Sequence, residues 1–130
     1  MHDESQLAEI LKTLGCDLGR SRSGRLLRVD CRSCPALPEL NLLQRVLECQ
    51  ALRELYVPRS GDFPNSAIEQ LAGLQKLKVL DLEDSDLDDK SVEQLANHAG
   101  LQVLNVRNTN VTEACVARLR KVMIGTRIIQ

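Results

Sequence analysis

The architecture follows from one short segment, Leu77-Lys-Val-Leu80-Asp-Leu82, because its pattern recurs along the chain. Similar segments begin at Leu26, Leu52 and Leu101, so the four copies start 26, 25 and 24 residues apart. Each copy alternates apolar and polar residues at its end, as a short strand with one buried face does. A period of about 25 residues is the signature of a repeat architecture, in which stacked units share a core.

The similarity continues past each strand. A small side chain able to form hydrogen bonds stands three residues after the strand pattern, at Cys34, Ser60, Ser85 and Thr109. Two sets of apolar residues then recur at equivalent positions of the four repeats, and we call each set a column. The columns are Leu43, Ile68, Val92 and Val116, and Val46, Leu71, Leu95 and Leu119. Within a repeat the two columns are three residues apart, which places them on one face of a helix. Each repeat is therefore expected to contain a strand, a turn and a helix.

These features resemble the leucine-rich repeat family, whose pattern is L-x-x-L-x-L-x-x-N/C-x-L. The resemblance covers about residues 26–130 and is strongest to the ribonuclease-inhibitor-like and cysteine-containing classes, through Cys34-Pro-Ala-Leu37 and Asn110-Val111-Thr112-Glu113. It implies an α/β solenoid with a short parallel sheet on the concave side and helices on the convex side. In three of the four copies, Ser60, Ser85 and Thr109 replace the family's asparagine or cysteine, so a hydroxyl-based polar spine is expected.

Residues 1–25 are predicted to form an N-terminal cap ahead of the repeats. An apolar stripe at Leu7, Ile10, Leu11 and Leu14 predicts a helix that Gly15 ends. The polar run Arg20–Gly24 within Cys16–Val29 indicates a hairpin. The repeats occupy 26–130, with a last short strand near 127–129.

Composition excludes several classes of protein. The chain has 130 residues, of which 43% are hydrophobic and 2% aromatic, and its net charge is −1. These proportions suit one globular domain, and the balanced charge argues against nucleic-acid binding. No apolar run is long enough to span a membrane, and Met1-His-Asp-Glu4 does not resemble a secretion signal. An odd number of cysteines, five, favours free thiols. The expected location is the cytoplasm.

Three features of the sequence are candidate sites of chemistry. Cys31-Arg-Ser-Cys34 is a C-x-x-C, as in a redox dithiol or half a zinc site, but the repeat register predicts that both cysteines point inward. The acidic stretch Glu83–Asp89 is compatible with a bound cation or with a solvated rim. His98 is interpreted as a packed or capping residue. Because no catalytic motif is present, no enzymatic activity and no cofactor are expected.

Strand residues that lie between the apolar positions of each strand pattern are predicted to face outward, because side chains alternate along a strand. Tyr56, the only tyrosine of the chain, lies at the centre of this surface and is a candidate hot spot. The predicted partner-binding residues are Arg28, Asp30, Arg32, Glu54, Tyr56, Arg59, Val79, Asp81, Glu83, Val103, Asn105 and Arg107.

The favoured function is a protein–protein interaction scaffold or adaptor, since the family resemblance implies protein recognition on the concave face. One alternative is a thiol-dependent redox or zinc protein that uses Cys31 and Cys34. Another is a substrate-recognition subunit of a ubiquitin ligase, which in this family needs a helical docking motif ahead of the repeats. Self-association through the repeat ends is a further hypothesis.

Overall fold

A computed structural model describes residues 4–33, 40–58 and 65–130 of the chain. Predictions that concern Cys34, Leu37, Arg59 and Ser60 lie outside these residues. Within them, one sheet contains six strands in chain order. The strands are β1 (Asp17–Arg20), β2 (Leu26–Asp30), β3 (Glu54–Tyr56), β4 (Val79–Asp81), β5 (Val103–Asn105) and β6 (Arg127–Ile129).

Helices alternate with the strands, as the repeat pattern predicts. They are α1 (Ser5–Thr13), α2 (Leu40–Leu47), α3 (Asn65–Ala72), α4 (Asp89–Val92) and α5 (Glu113–Val122), and a 3₁₀ turn at Glu93–Leu95 continues α4. β1 and β2 form an antiparallel hairpin, whereas β2 to β6 are parallel. The predicted α/β fold with a parallel sheet and an N-terminal hairpin is therefore confirmed. No helix within the described ranges is long and apolar enough to cross a membrane.

One continuous core lies between the sheet and the helices. Leu55, Leu80 and Leu104 are partners in the strand register and are at most 1% exposed. The two helix columns are buried as well, in every repeat. The spacing of the aliphatic residues therefore predicted their positions correctly.

Backbone hydrogen bonds join each repeat to the next at the ends of the strands. The N–H of the residue after one strand donates to the carbonyl at the end of the following strand. These bonds are Cys31 to Tyr56 (2.8 Å), Val57 to Asp81 (3.0 Å), Leu82 to Asn105 (2.9 Å) and Val106 to Ile129 (2.9 Å). The short strands thus satisfy their polar groups only when the repeats are stacked.

The N-terminal cap has the predicted helix and hairpin. Gly15 follows α1 with a φ of +96°, a left-handed conformation that favours glycine. Glu4, which the sequence gave no reason to single out, is 7% exposed and accepts a hydrogen bond from the N–H of Leu26. Its carboxylate also lies 3.6 Å from the guanidinium of Arg25. Glu4 therefore ties the start of α1 to the start of the first repeat strand.

The small polar residues after the strands have a local role. The Ser85 hydroxyl donates to the carbonyl of Leu82, and the Thr109 hydroxyl to the carbonyl of Val106, both at 2.6 Å. The residues are hydroxyl-bearing as expected, but these bonds stay within one repeat and do not form a spine between repeats. They satisfy carbonyls at the turn that leaves the strand.

We expect Leu80→Ala to lower the free energy of unfolding by about 2–5 kcal/mol, because it removes a fully buried side chain from the centre of the core. Ile124→Ala is the control, because Ile124 is 89% exposed and should cost at most about 0.5 kcal/mol. Urea denaturation measures both. Equal losses for the two variants would contradict the described core.

Candidate functional site on the open face of the sheet

The face of the sheet opposite the buried leucines carries the predicted partner-binding residues that the structure describes. We call it the open face. Strand register aligns them in two rows: Arg28, Glu54, Val79 and Val103 form one, and Asp30, Tyr56, Asp81 and Asn105 form the other. Three more residues follow the strand ends, namely Arg32, Glu83 and Arg107. The arrangement of these rows matches the expected one.

Three residues of the second row serve as turn caps. In Asp30, Asp81 and Asn105, a side-chain oxygen accepts a hydrogen bond at 3.0 Å from the N–H two residues later. This is an Asx turn, which bends the chain away from the strand. The three residues are only 6–8% exposed, so they are far less accessible than the predicted outward orientation suggests. The Asx-turn hydrogen bonds account for the positions of these three side chains, so no binding partner is needed to explain them.

Tyr56 is the exception in this row, because its side chain cannot form an Asx turn. The guanidinium carbons of Arg28 and Arg32 lie over its ring, 5.1 Å and 4.3 Å from the ring centre. The hydroxyl of Tyr56 donates to the carboxylate of Glu54 at 2.7 Å. Cation–π attraction and this hydrogen bond hold the ring in place. We refer to Arg28, Asp30, Arg32, Glu54 and Tyr56 as the Tyr56 cluster.

Asp30 organises the two arginines of the Tyr56 cluster. Its carboxylate accepts two hydrogen bonds from the guanidinium of Arg32, at 3.0 and 2.6 Å, and one from Arg28 at 3.1 Å. The hydrogen bond from Arg32 is the main reason that the pKa of Asp30 is lowered. Burial, followed by the bond to Glu54, raises the pKa of Tyr56. At neutral pH the cluster therefore holds ionised carboxylate and guanidinium groups around a neutral phenol.

Acidic residues at the end of β4 and just beyond it form hydrogen bonds with the next repeat. Asn105 donates to the carboxylates of Asp81 (3.2 Å) and Glu83 (2.9 Å), and Asn108 donates to Asp84 (2.6 Å). Inter-repeat hydrogen bonds therefore engage three carboxylates of this region.

The rest of the acidic stretch surrounds the start of a helix. Asp88 caps α4 by accepting a hydrogen bond from the N–H of Ser91 at 3.0 Å, as expected of an N-cap residue. Asp89 accepts from both the N–H and the hydroxyl of Thr112 at 2.7 Å. Within the described part of the chain, no three side chains of His, Cys, Asp and Glu converge as a metal site requires.

Val79 and Val103 add an apolar component to the open face. They are partners in the register of β4 and β5, and both are half-buried. Glu54 is the neighbour of Val79 on the other side, so the valine pair adjoins the Tyr56 cluster. Charged, aromatic and aliphatic groups thus lie next to each other on one surface.

The cysteines that the structure describes, and the described histidine His98, lie away from the open face. Cys31 is 1% exposed, which agrees with the predicted inward orientation. Cys49 and Cys115 are buried too, and burial raises the pKa of both thiols, for Cys49 to about 12. The Nε2 atom of His98 lies 2.8 Å from the carbonyl oxygen of Leu74, so it links successive repeats. This agrees with its interpretation as a packed residue.

The alternating strands and helices and the parallel sheet give the chain an α/β solenoid fold like that of leucine-rich repeat proteins. Among solved structures it is similar to a leucine-rich repeat protein of Leptospira interrogans, with a TM-score of 0.50 and 23% identity, over 73% of this chain. The chain spans 22% of the length of that protein. No family model and no curated protein matches the sequence. The similarity concerns the fold, and the subclass of repeat stays a prediction.

Asp30→Asn should remove a stabilising contribution that depends on pH. Because the pKa of Asp30 is lowered in the folded state, its ion pairs stabilise the fold fully above the unfolded-state pKa of about 4, and this stabilisation is lost as the pH falls through the lowered value. Asparagine can still cap the turn, as Asn105 does. Urea denaturation of both proteins from pH 7 to pH 2 should show a difference in stability that shrinks below about pH 4.

The control for this prediction is Asp17→Asn. Asp17 also pairs with Arg28, at 2.9 Å, but its side chain is 78% exposed. An exposed ion pair contributes at most about 1 kcal/mol, so this variant should differ little from the wild type at any pH. An Asp30→Asn effect that is independent of pH would contradict the ion pairs described above.

Proposed function

We propose that the chain is a non-enzymatic scaffold or adaptor that binds a protein partner on the open face of its sheet. The observation that supports this most directly is the position of Tyr56. The other three members of its row are Asp or Asn residues that cap turns, whereas Tyr56 caps none. A requirement of the fold therefore does not explain the tyrosine, but a binding surface does.

The Tyr56 cluster has the properties of a binding hot spot. Tyrosine and arginine are enriched in hot spots, because they combine a large contact area with polar groups. The ring and both guanidinium groups are already held by Glu54 and Asp30. Ordering side chains on binding costs free energy, so a cluster that is ordered beforehand loses less of it. Arg32 keeps 43% of its side chain exposed and therefore remains accessible to a partner.

The rest of the open face indicates the kind of partner. Val79 and Val103 offer an apolar patch, and the exposed Arg107 lies beyond it. A complementary protein surface would place an apolar side chain on the valines and a carboxylate near Arg32 or Arg107. All twelve predicted contact residues, including Arg59, remain part of this proposal.

The alternatives receive less support. Cys31 is buried among apolar residues, so it could not be the thiol that first meets an external substrate, and the described residues contain no cluster of three zinc ligands. Self-association through the repeat ends would involve Val122 and Ile124, which are 62% and 89% exposed near β6. A role in a ubiquitin ligase and a cytoplasmic location stay predictions.

Tyr56→Ala should weaken partner binding by about 30-fold, which corresponds to about 2 kcal/mol for a hot spot. A partner would first be captured from cells of the source organism with wild-type protein. It would then be purified and titrated against each variant by calorimetry. Circular dichroism should show an unchanged fold, because the side chain of Tyr56 lies outside the core.

Lys121→Ala is the control, because Lys121 is an exposed residue of α5 on the opposite side of the molecule. It should bind the partner like the wild type. Unchanged affinity of Tyr56→Ala, or an equal loss in Lys121→Ala, would contradict binding on the open face.

A further inference from the structure

Two buried thiols meet where the N-terminal hairpin joins the first repeat. The Sγ atoms of Cys16 and Cys31 are 3.4 Å apart. Asp17 is paired with Asp30 in the antiparallel register, so the residues just outside this pair, Cys16 and Cys31, stand opposite each other across the hairpin. They are 6% and 1% exposed. All four cysteines that the structure describes, these two included, are buried.

We propose that Cys16 and Cys31 form a redox site, which a small-molecule disulfide such as glutathione disulfide converts reversibly into a protein disulfide. Opposite residues of an antiparallel pair have Cα atoms about 4.5–5.5 Å apart, within the range that a disulfide spans. The two sulfur atoms need to approach by only about 1.4 Å to reach the disulfide bond length of about 2.05 Å. Side-chain rotation supplies a movement of this size.

Cys16 is the thiol that the oxidant reaches first. It lines a cavity of about 180 Å³ between α1 and β1, whereas Cys31 does not. The lining includes the cationic residues Lys12 and Arg20 and the acidic residues Glu9 and Asp17, so both charged ends of a peptide-like disulfide find a counterpart there. One arm of the oxidant can therefore approach the sulfur of Cys16 from this cavity.

The reaction is an ordinary pair of thiol–disulfide exchanges. Cys16 loses its proton to water, and its thiolate attacks one sulfur of the oxidant, which forms a mixed disulfide and releases the first small thiolate. The thiolate of Cys31 then attacks the sulfur of Cys16 and displaces the second. Two protein thiols are oxidised, and one small disulfide is reduced to two thiols. The two protons that the cysteines lose are taken up by the two small thiolates that are released.

The other two described cysteines provide an internal comparison. The thiol of Cys49 donates to the carbonyl of Arg45 at 3.5 Å, and that of Cys115 lies 4.0 Å from oxygen atoms of Asp89 and Glu93. These contacts are with oxygen atoms and not with a second thiol, so neither cysteine has a described sulfur atom beside it with which to close a disulfide. Neither cysteine should react under conditions that link Cys16 to Cys31.

The link would fasten the cap to the end of β2, the strand that carries Arg28 and Asp30 of the Tyr56 cluster. It joins residues 15 apart in sequence, and it closes the hairpin at the end nearest Asp30 and Arg32. A crosslink restricts the unfolded chain, so the oxidised protein should be more stable. We expect its Tm to rise by about 10 °C.

The test is to equilibrate the folded wild-type protein with glutathione disulfide and reduced glutathione, and to analyse it by intact mass and peptide mapping. We expect the mass of the protein to decrease by that of two hydrogen atoms and one peptide pair to appear that is joined through Cys16 and Cys31. Excess reduced glutathione should reverse both changes fully. Cys49→Ser and Cys115→Ser should form the same link. Cys31→Ala should instead accumulate glutathione on Cys16.

Three results would overturn the proposal. One is a wild-type protein whose cysteines stay reduced at every ratio of the two glutathione forms. Another is a link that joins Cys31 to Cys34 in place of Cys16. The third is a Cys31→Ala protein, folded by circular dichroism, that takes up no glutathione on Cys16. The wild-type mapping needs no substitution, so a variant that fails to fold leaves the test intact.

Discussion

The structure depends on one shared apolar interior, to which every repeat contributes and which no repeat could form alone. A unit of about 25 residues loses backbone entropy on folding that its few buried side chains cannot offset. Stacking changes this balance, because each repeat covers the apolar side of its neighbours. Leu55, Leu80 and Leu104 therefore lie in register and out of contact with water. The backbone bonds at the strand ends follow from the same stacking.

This constraint also determines what lies on the open face. Once the leucines point inward, alternation directs the residues between them to the other side of the sheet. Most of the row that contains Tyr56 consists of Asx turn caps at Asp30, Asp81 and Asn105, which bend the chain toward the next helix. Tyr56 breaks that rule, and the surrounding charges hold it in a fixed position. The presence of Tyr56 in place of an Asx turn cap supports the proposed binding role of the open face.

Much of the fold could be predicted from the sequence, because the aliphatic spacing requires no knowledge of side-chain conformation. Strand register and helix columns followed from it, and the hairpin followed from the polar run Arg20–Gly24. The burial of Asp30 and Asp81 did not, because it depends on where neighbouring guanidinium and amide groups lie in three dimensions. An Asp or Asn at the end of successive strands was nevertheless a readable signal for Asx turns. The pairing of Cys16 with Cys31 could not be counted from the hairpin tip, because the register shifts between Gly19 and Arg20, and nothing in the sequence marked Glu4.

The most direct test of the shared interior is native-state hydrogen exchange at the amides of Val57 and Leu82, which donate to the following repeat at 3.0 and 2.9 Å. If the repeats are stable only together, both amides exchange through global unfolding. Their exchange free energies should then equal the free energy of unfolding from urea denaturation. An exchange free energy well below that value at either amide would show that single repeats open independently, and it would contradict the account.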